Sequence, residues 1–424
     1  MPLQLALMSQ IPIRRSTLTY NVRKLGQWEP RLMTILKDYH QFDGRHYETG
    51  SLHNVLTYQG RTISEELLLG ISGGIIVGYF SFAYEGYDPH VVVLTRNTFD
   101  PFDRILDRIG IVQDLYQTTS EEKACSNLEA VLESGNPALV WVDMYSLPYV
   151  LPIRDDDMSM MIPVVVYGVE NETVHIADRA SLPLTVDVHA FSEARSAVKK
   201  VRYRLLAVDD VTMSRLPGAV EQGLHDTIRL FEGDVPVKPA AKSIGYAGMS
   251  RWADCLTKRS DRQSWQKIFP PGPKMYAGLT TCFTSLMTTT GPGADRQNFA
   301  NFLDEAAVII DRPALRAIAS AYREMVSLWV DLADAHLPAS VPILAEARDL
   351  LRKDHELFVN EGQGAQKARK QIHNHLGEIR GTMDSDFPLT EDEAEHLRTD
   401  LADRVLALRD REQARIEELK AALS

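Results

Sequence analysis

The sequence predicts an α+β half followed by an all-helical half. Short β-branched runs recur up to about residue 215 and then stop. From there to the C-terminus apolar residues return at helical spacing. The length, 424 residues, exceeds one ordinary core and calls for two or three domains. The expected boundaries are 1–34 for an N-terminal extension, 35–215 for the α+β domain and 216–424 for the helical domain.

In the first half, strands are expected at 91–96, 138–144, 162–170, 172–178 and 201–210, each β-branched and bounded by turn residues. Glu170, Asn171 and Glu172 form a hairpin-sized loop between two of them. Helices are expected at 46–58, 64–69, 103–116, 120–133 and 189–199. Ser64 before Glu65 and Glu66 has the composition of a capped helix start.

In the second half, helices are expected at 218–234, 245–258, 273–290, 295–310, 312–337, 340–360, 364–380 and 390–422. Asp386 to Thr390 is a break, with Thr390 placed as the N-cap of the last helix. Glu412, Arg415, Glu417 and Lys420 read as its solvated face. Residues 231–246, with two prolines, are the expected linker.

Composition narrows the function. Hydrophobic residues are 44% and charged residues 25%, ordinary for a globular protein. The formal charge is −12 and Lys and Arg are scattered, which disfavours a nucleic-acid partner. An acidic carrier protein would need a local basic patch, for which Lys199, Lys200, Arg202 and Arg204 are the candidates. No apolar run reaches the roughly 20 residues of a membrane span, so no membrane is expected. The start lacks a basic segment before its apolar run, so no signal peptide is expected, and a cytoplasmic setting follows. Cys125, Cys255 and Cys282 are odd in number and have no CxxC spacing, which argues against a disulfide framework or a cysteine-rich zinc site.

No metal and no cofactor are expected. Gly70, Gly73, Gly74 and Gly78 lack the order of a nucleotide fingerprint. His373 and His375, two residues apart, cannot face one metal from a helix. Asp155, Asp156 and Asp157 read as a solvated loop.

One stretch carries more. His46-Tyr47-Glu48-Thr49 opens a helical pattern, followed by Ser64-Glu65 and a Gly-rich segment from Gly70 to Gly74. Later come Asp143 with Leu147-Pro148-Tyr149, then Val164-Val165-Val166-Tyr167-Gly168 and Ile176-Ala177-Asp178. In the second half stand Ser264-Trp265, Asn298-Phe299 with Phe302 to Ala307, and Trp329. Together these resemble the butirosin-biosynthesis acyltransferase family, over about residues 40–420. The resemblance implies a papain-like first domain rebuilt for acyl transfer and a helical second domain that shapes the acceptor pocket or forms a homodimer. It implies a thiolate at a helix N-terminus, a histidine base and an orienting acid. The acyl donor would be an acyl or peptidyl carrier protein and the acceptor a small-molecule amine.

The motif departs from that pattern at two positions. Tyr47 stands where the nucleophilic cysteine is expected, and Ile162 or Pro163 where the histidine is expected. Asp178 is the acidic partner that is kept. The candidate catalytic residues are therefore Tyr47, Glu48, His46 and Asp178, acting by acid–base chemistry. Ser51, Asp143, Tyr145 and Tyr167 are the candidate substrate-binding residues. Thr49 or Ser51 as a replacement nucleophile is a weaker option for lack of a nearby base. Two functions stay open: acyl transfer, amide formation or cyclisation without a cysteine, and an inactive relative that binds a metabolite or carrier protein as a scaffold.

Overall fold

Apolar runs flanked by turns build the sheet that organises the first half. The computed structural model describes residues 34–151 and 158–424, together with the two-residue strand Ile13–Arg14. Asp155, Asp156 and Asp157 and most of the N-terminal extension lie outside the described residues. The strands in chain order are β1 (Ile13–Arg14), β2 (Thr34–Ile35), β3 (Ile75–Phe82), β4 (His90–Arg96), β5 (Ile111–Tyr116) and β6 (Ala138–Asp143). They continue with β7 (Met158–Ser159), β8 (Met161–Glu170), β9 (Thr173–Ala177), β10 (Leu184–Asp187) and β11 (Leu205–Val211).

Six of these strands follow the order β10-β9-β8-β6-β11-β5, every pairing antiparallel, and β2 adds a seventh at the end of β8. The central strands are buried on both faces: every residue of β6 is buried, as are Ile162, Val164, Val165 and Val166 of β8. That burial explains why these segments show continuous apolar runs rather than alternation. The helices of this half are α1 (Thr49–Tyr58), α2 (Glu65–Ile71), α3 (Pro101–Arg108), α4 (Glu121–Glu133) and α5 (Val188–Ala197). α1 packs on β6 and β8.

β3 and β4 leave the sheet and form a separate antiparallel hairpin. It packs against helices of the second half, which are α6 (Leu216–Phe231), α7 (Gly245–Thr257), α8 (Trp265–Ile268), α9 (Pro273–Met287) and α10 (Arg296–Ile309). The remaining helices are α11 (Leu315–His336), α12 (Pro342–Glu361), α13 (Gln366–Thr382) and α14 (Glu391–Leu423). α7 covers β3 and α9 covers β4, so the hairpin is a wedge of strand inside the helical half. One apolar core runs without a break through both halves. The architecture is mixed α+β with a helical C-terminal region. No helix among the described residues is long and apolar enough to cross a membrane.

Several expectations change. The helix expected at 103–116 ends at Arg108, and Gly110 takes a left-handed φ of 59°. Residues 111–116 then form β5 and pair with β11. A glycine in that conformation closes a helix, and Ile111-Val112 beyond it favours strand. Residues 75–82, read only for their glycines, are a strand. Residues 231–246 are packed rather than a linker: Val235, Ala240 and Ile244 are buried with Ile76, Leu94 and Phe99 behind the hairpin. Thr390 caps α14 as expected, and with Glu393 forms a full capping box.

Glu412 is not on a solvated face. It is fully buried, and its Oε1 accepts from Arg296 Nε at 2.7 Å and from Trp329 Nε1 at 3.1 Å. The Arg296 guanidinium lies over the Trp329 ring at 4.3 Å. Removing one partner of such a pair strands a buried charge, at a cost of about 3–5 kcal/mol. Glu412→Ala is therefore expected to lower unfolding stability by about 3 kcal/mol in urea titration. The double variant Arg296→Met/Glu412→Leu is expected to cost less than either single change, a non-additive result in the same measurement.

Candidate functional site

The segment that opens α1 is held by its neighbours rather than by its own helix. A Cβ on Gly44 would sit 2.3 Å from the Gly50 carbonyl oxygen, so Gly44 is needed for the close approach of the two backbones. The Gly44 N–H donates to Asn54 Oδ1 at 3.0 Å. Glu65, at the start of α2, accepts from the Arg45 N–H at 2.6 Å and the His46 N–H at 2.9 Å. It also accepts from the Thr49 hydroxyl at 2.8 Å. Burial pushes its carboxyl up, although Arg96 and these hydrogen bonds pull it down.

A buried ion pair ties this segment to the helical half. Arg96, the last residue of β4, pairs with Asp295 at the start of α10 through Nη2 and Nε, and its Nη1 donates to Thr49 Oγ1 at 3.1 Å. Thr95 Oγ1 donates to the same carboxylate at 2.6 Å, and so does the Gly291 N–H at 2.9 Å. Burial alone would raise the Asp295 carboxyl, but Arg96 and these donors hold it below the usual carboxylate range.

The bridge closes one side of a cavity of about 500 Å³ between the two halves. One wall is His46, Tyr47, Tyr145 and Arg179. The second is the strand β4. The third is the hydroxyl face of α9, from Thr280 through Thr284 and Ser285 to Thr288 just beyond it. The fourth is His355, Phe358 and Val359 of α12. Most hydroxyl protons of that face are spent on helix carbonyls, Thr280 to Tyr276 at 2.8 Å and Thr281 to Ala277 at 2.7 Å. What these threonines offer the cavity is acceptor oxygens and methyl groups.

The His46–Tyr47 wall offers donors. His46 Nδ1 accepts from the Glu48 N–H at 3.3 Å, so the proton of the neutral ring is on Nε2. Burial, with Arg96 and Arg179 nearby, lowers the ring's pKa well below its ordinary value, so it is a neutral donor at pH 7. Burial, followed by the Glu48 charge, raises Tyr47 well above its ordinary value, so its hydroxyl keeps its proton. Arg179 is clamped by Asp178 through two 2.9 Å hydrogen bonds, and Asp178 also accepts from Tyr149 OH at 3.3 Å.

Of the residues expected to form a site, His46, Tyr47 and Tyr145 meet at the cavity. Glu48 is buried at the N-cap of α1 and acts on the cavity through its backbone N–H to His46. Asp178 stands behind Arg179. Asp143 is fully buried and accepts from Ser146 Oγ at 2.7 Å, Ser159 Oγ at 2.9 Å and the Met160 N–H at 2.9 Å. It thereby places the wall residues Met144, Tyr145 and Met160. Ser51 donates to the Pro163 carbonyl at 3.4 Å and seals α1 on β8, with Ile162 fully buried beside it. Tyr167 stacks on Tyr39 at 4.5 Å outside the cavity wall. The three cysteines are buried away from the cavity, and burial pushes the Cys125 thiol up to about 12 and the Cys255 thiol up to about 11. His373 pairs with Asp354 at 3.1 Å and His375 with Glu346 at 2.8 Å. Arg204 of the basic stretch covers the Trp141 ring at 4.2 Å and pairs with Asp103.

The residues missed by sequence reasoning are Glu65, Arg96, Arg179, His355 and the α9 hydroxyls. Glu65 was legible only as part of a helix start, and the α9 hydroxyls left a run of Thr and Ser at helical spacing from 280 to 290.

These features define a mixed α+β protein whose cavity lies where sheet, hairpin and helices meet, with donors on one wall and acceptors on another. Residues 46–179 match a protein family described as butirosin biosynthesis protein H, N-terminal. The match covers roughly a third of the chain and contains His46, Tyr47, Glu48, Asp178 and Arg179. It supports the family resemblance over that segment. No curated protein matches the chain.

Two outcomes follow from the charges. The Asp295 carboxyl titrates lower in the folded chain than unfolded, so its pair contributes fully above the unfolded value of about 4 and is lost as pH falls through the folded value. Asp295→Asn is expected to cost about 3 kcal/mol at pH 7 and progressively less below pH 4, read by urea unfolding across pH. For His46, ¹⁵N NMR is expected to show the Nε2–H tautomer, with no protonation between pH 8 and 6.

Proposed function

We propose that this chain is an enzyme of antibiotic or related natural-product biosynthesis. It acts on an acyl or aminoacyl intermediate by transfer, amide formation or cyclisation, without a cysteine nucleophile. The family match supports a place in such biosynthesis. The observation that carries the chemical reading is the neutral His46 ring beside the protonated Tyr47 hydroxyl in one cavity wall, with Arg179 adjacent. Two neutral donors suit an acyl carbonyl, whose oxygen gains negative charge as it is attacked. The apolar wall of β4 and α12 suits the acyl chain, and the α9 oxygens suit the N–H or O–H groups of an acceptor.

In this reading the first domain is papain-like over 35–215, with Tyr47 at the position of the lost thiol and Ile162 or Pro163 at that of the lost histidine. Glu48 and Asp178 are positioning residues: Glu48 fixes the tautomer of His46, and Asp178 aims Arg179. The donor would arrive on an acyl or peptidyl carrier protein. The alternative is a binding protein that has lost catalysis. It is favoured by the buried thiols and by the seal that Ser51 makes on β8.

The test is turnover and intact mass with acylated carrier proteins. The expected outcome is substrate consumption by the wild type with no covalent adduct, and a loss of about 10²-fold in kcat for Tyr47→Phe. An acyl-enzyme adduct would exclude the non-covalent mechanism. Unchanged carrier binding with no turnover in either protein would favour the scaffold.

A further inference from the structure

The wall groups His46, Tyr47 and Arg179 are all proton donors, and an amine attacking an acyl carbon must lose a proton to something. Glu65, the carboxylate in the wall, already accepts three hydrogen bonds. His90 is engaged at the far end of β4, where its ring stacks on Phe82 at 5.1 Å.

His355 is placed differently. It projects from α12 into the wall beside Phe358 and Val359, across from the first half. Among the described residues neither of its ring nitrogens has a hydrogen-bond partner. Phe358 is held between Arg179 and Arg369, whose guanidinium carbons lie 5.5 and 4.9 Å from its ring centre, so this part of the helix is fixed against the site.

We propose that His355 is the general base of this cavity, supplied by the helical half in place of the histidine that β8 does not carry; this rests on the acyl-transfer reading above. The amine nitrogen attacks the acyl carbon and a C–N bond forms, while the carbonyl electron pair moves onto the oxygen held by His46 Nε2–H and Tyr47 O–H. The ammonium proton passes to the free nitrogen of His355. When the carbonyl re-forms, the bond to the leaving sulfur or oxygen breaks, and that atom takes the proton from the His355 imidazolium.

The surroundings suit the role. Arg179 after β9 and Arg369 on α13 face the ring, with Asp354 and Glu356 on its own helix. Asp354 is itself engaged by Arg369 at 3.0 Å and by His373 at 3.1 Å. Burial, then Arg179, lowers the ring's pKa from its ordinary value, so it is neutral and able to accept a proton at pH 7.

The experiment uses acetyl, butyryl and glycyl thioesters of N-acetylcysteamine as probes, with hydroxylamine as the attacking amine, and follows thiol release by the full chain. His355→Gln is expected to lower kcat about 10²-fold with KM changed less than about twofold, and to remove the acidic limb of the pH profile. His355→Ala is expected to regain rate on addition of imidazole, with both variants melting within a few degrees of the wild type. If both variants keep the wild-type rate and acidic limb, or only raise KM, His355 is a wall residue and the proposal fails while the acyl-transfer reading stands. If the wild type accelerates none of the probes, the acyl-transfer reading fails and the proposal with it.

Discussion

The Arg96–Asp295 pair is the interaction on which the arrangement of the molecule depends. Both groups are removed from water, and a charge so placed is tolerated only with its partner and with further hydrogen bonds. Asp295 receives them from Thr95 and Gly291, and Arg96 gives one to Thr49. Since Thr49 also bonds Glu65, one chain of polar contacts joins α10, β4, α1 and α2. The opening of the α1 segment is therefore positioned by a residue nearly 250 positions away in sequence.

The same burial decides the chemistry. Burial disfavours the charged form of both groups, so His46 stays neutral and Tyr47 stays protonated; Arg96 and Arg179 add to this at His46 and oppose it at Tyr47, where the Glu48 charge works with burial. The buried thiols are driven the same way, toward the inert protonated form. A cavity with donors on one wall and threonine oxygens on another can orient a bifunctional molecule.

Much of the fold was legible in the sequence. The eight long helices of the second half follow apolar spacing closely, and β6, β8 and β9 follow their β-branched runs. The failures have identifiable causes. Gly110 divides what looked like one helix, because a left-handed residue stops a helix whatever the spacing beyond it. β3 was hidden because a strand covered on both faces has no alternation to detect. Glu412 was assigned to water because a single charge does not reveal an arginine and a tryptophan brought to it from other helices.

The sequence by itself determined the division of element types and the family resemblance carried by the His46–Asp178 span. These are local matters, fixed by periodicity and motif order. The tertiary structure decided which residues face the cavity. It turned Glu48 and Asp178 into supports, and it brought Arg96, Arg179, His355 and the α9 hydroxyls to one place. Long-range placement of this kind leaves no periodic trace, because a side chain's direction and its loss of water are set by the elements packed around it rather than by its neighbours in the chain.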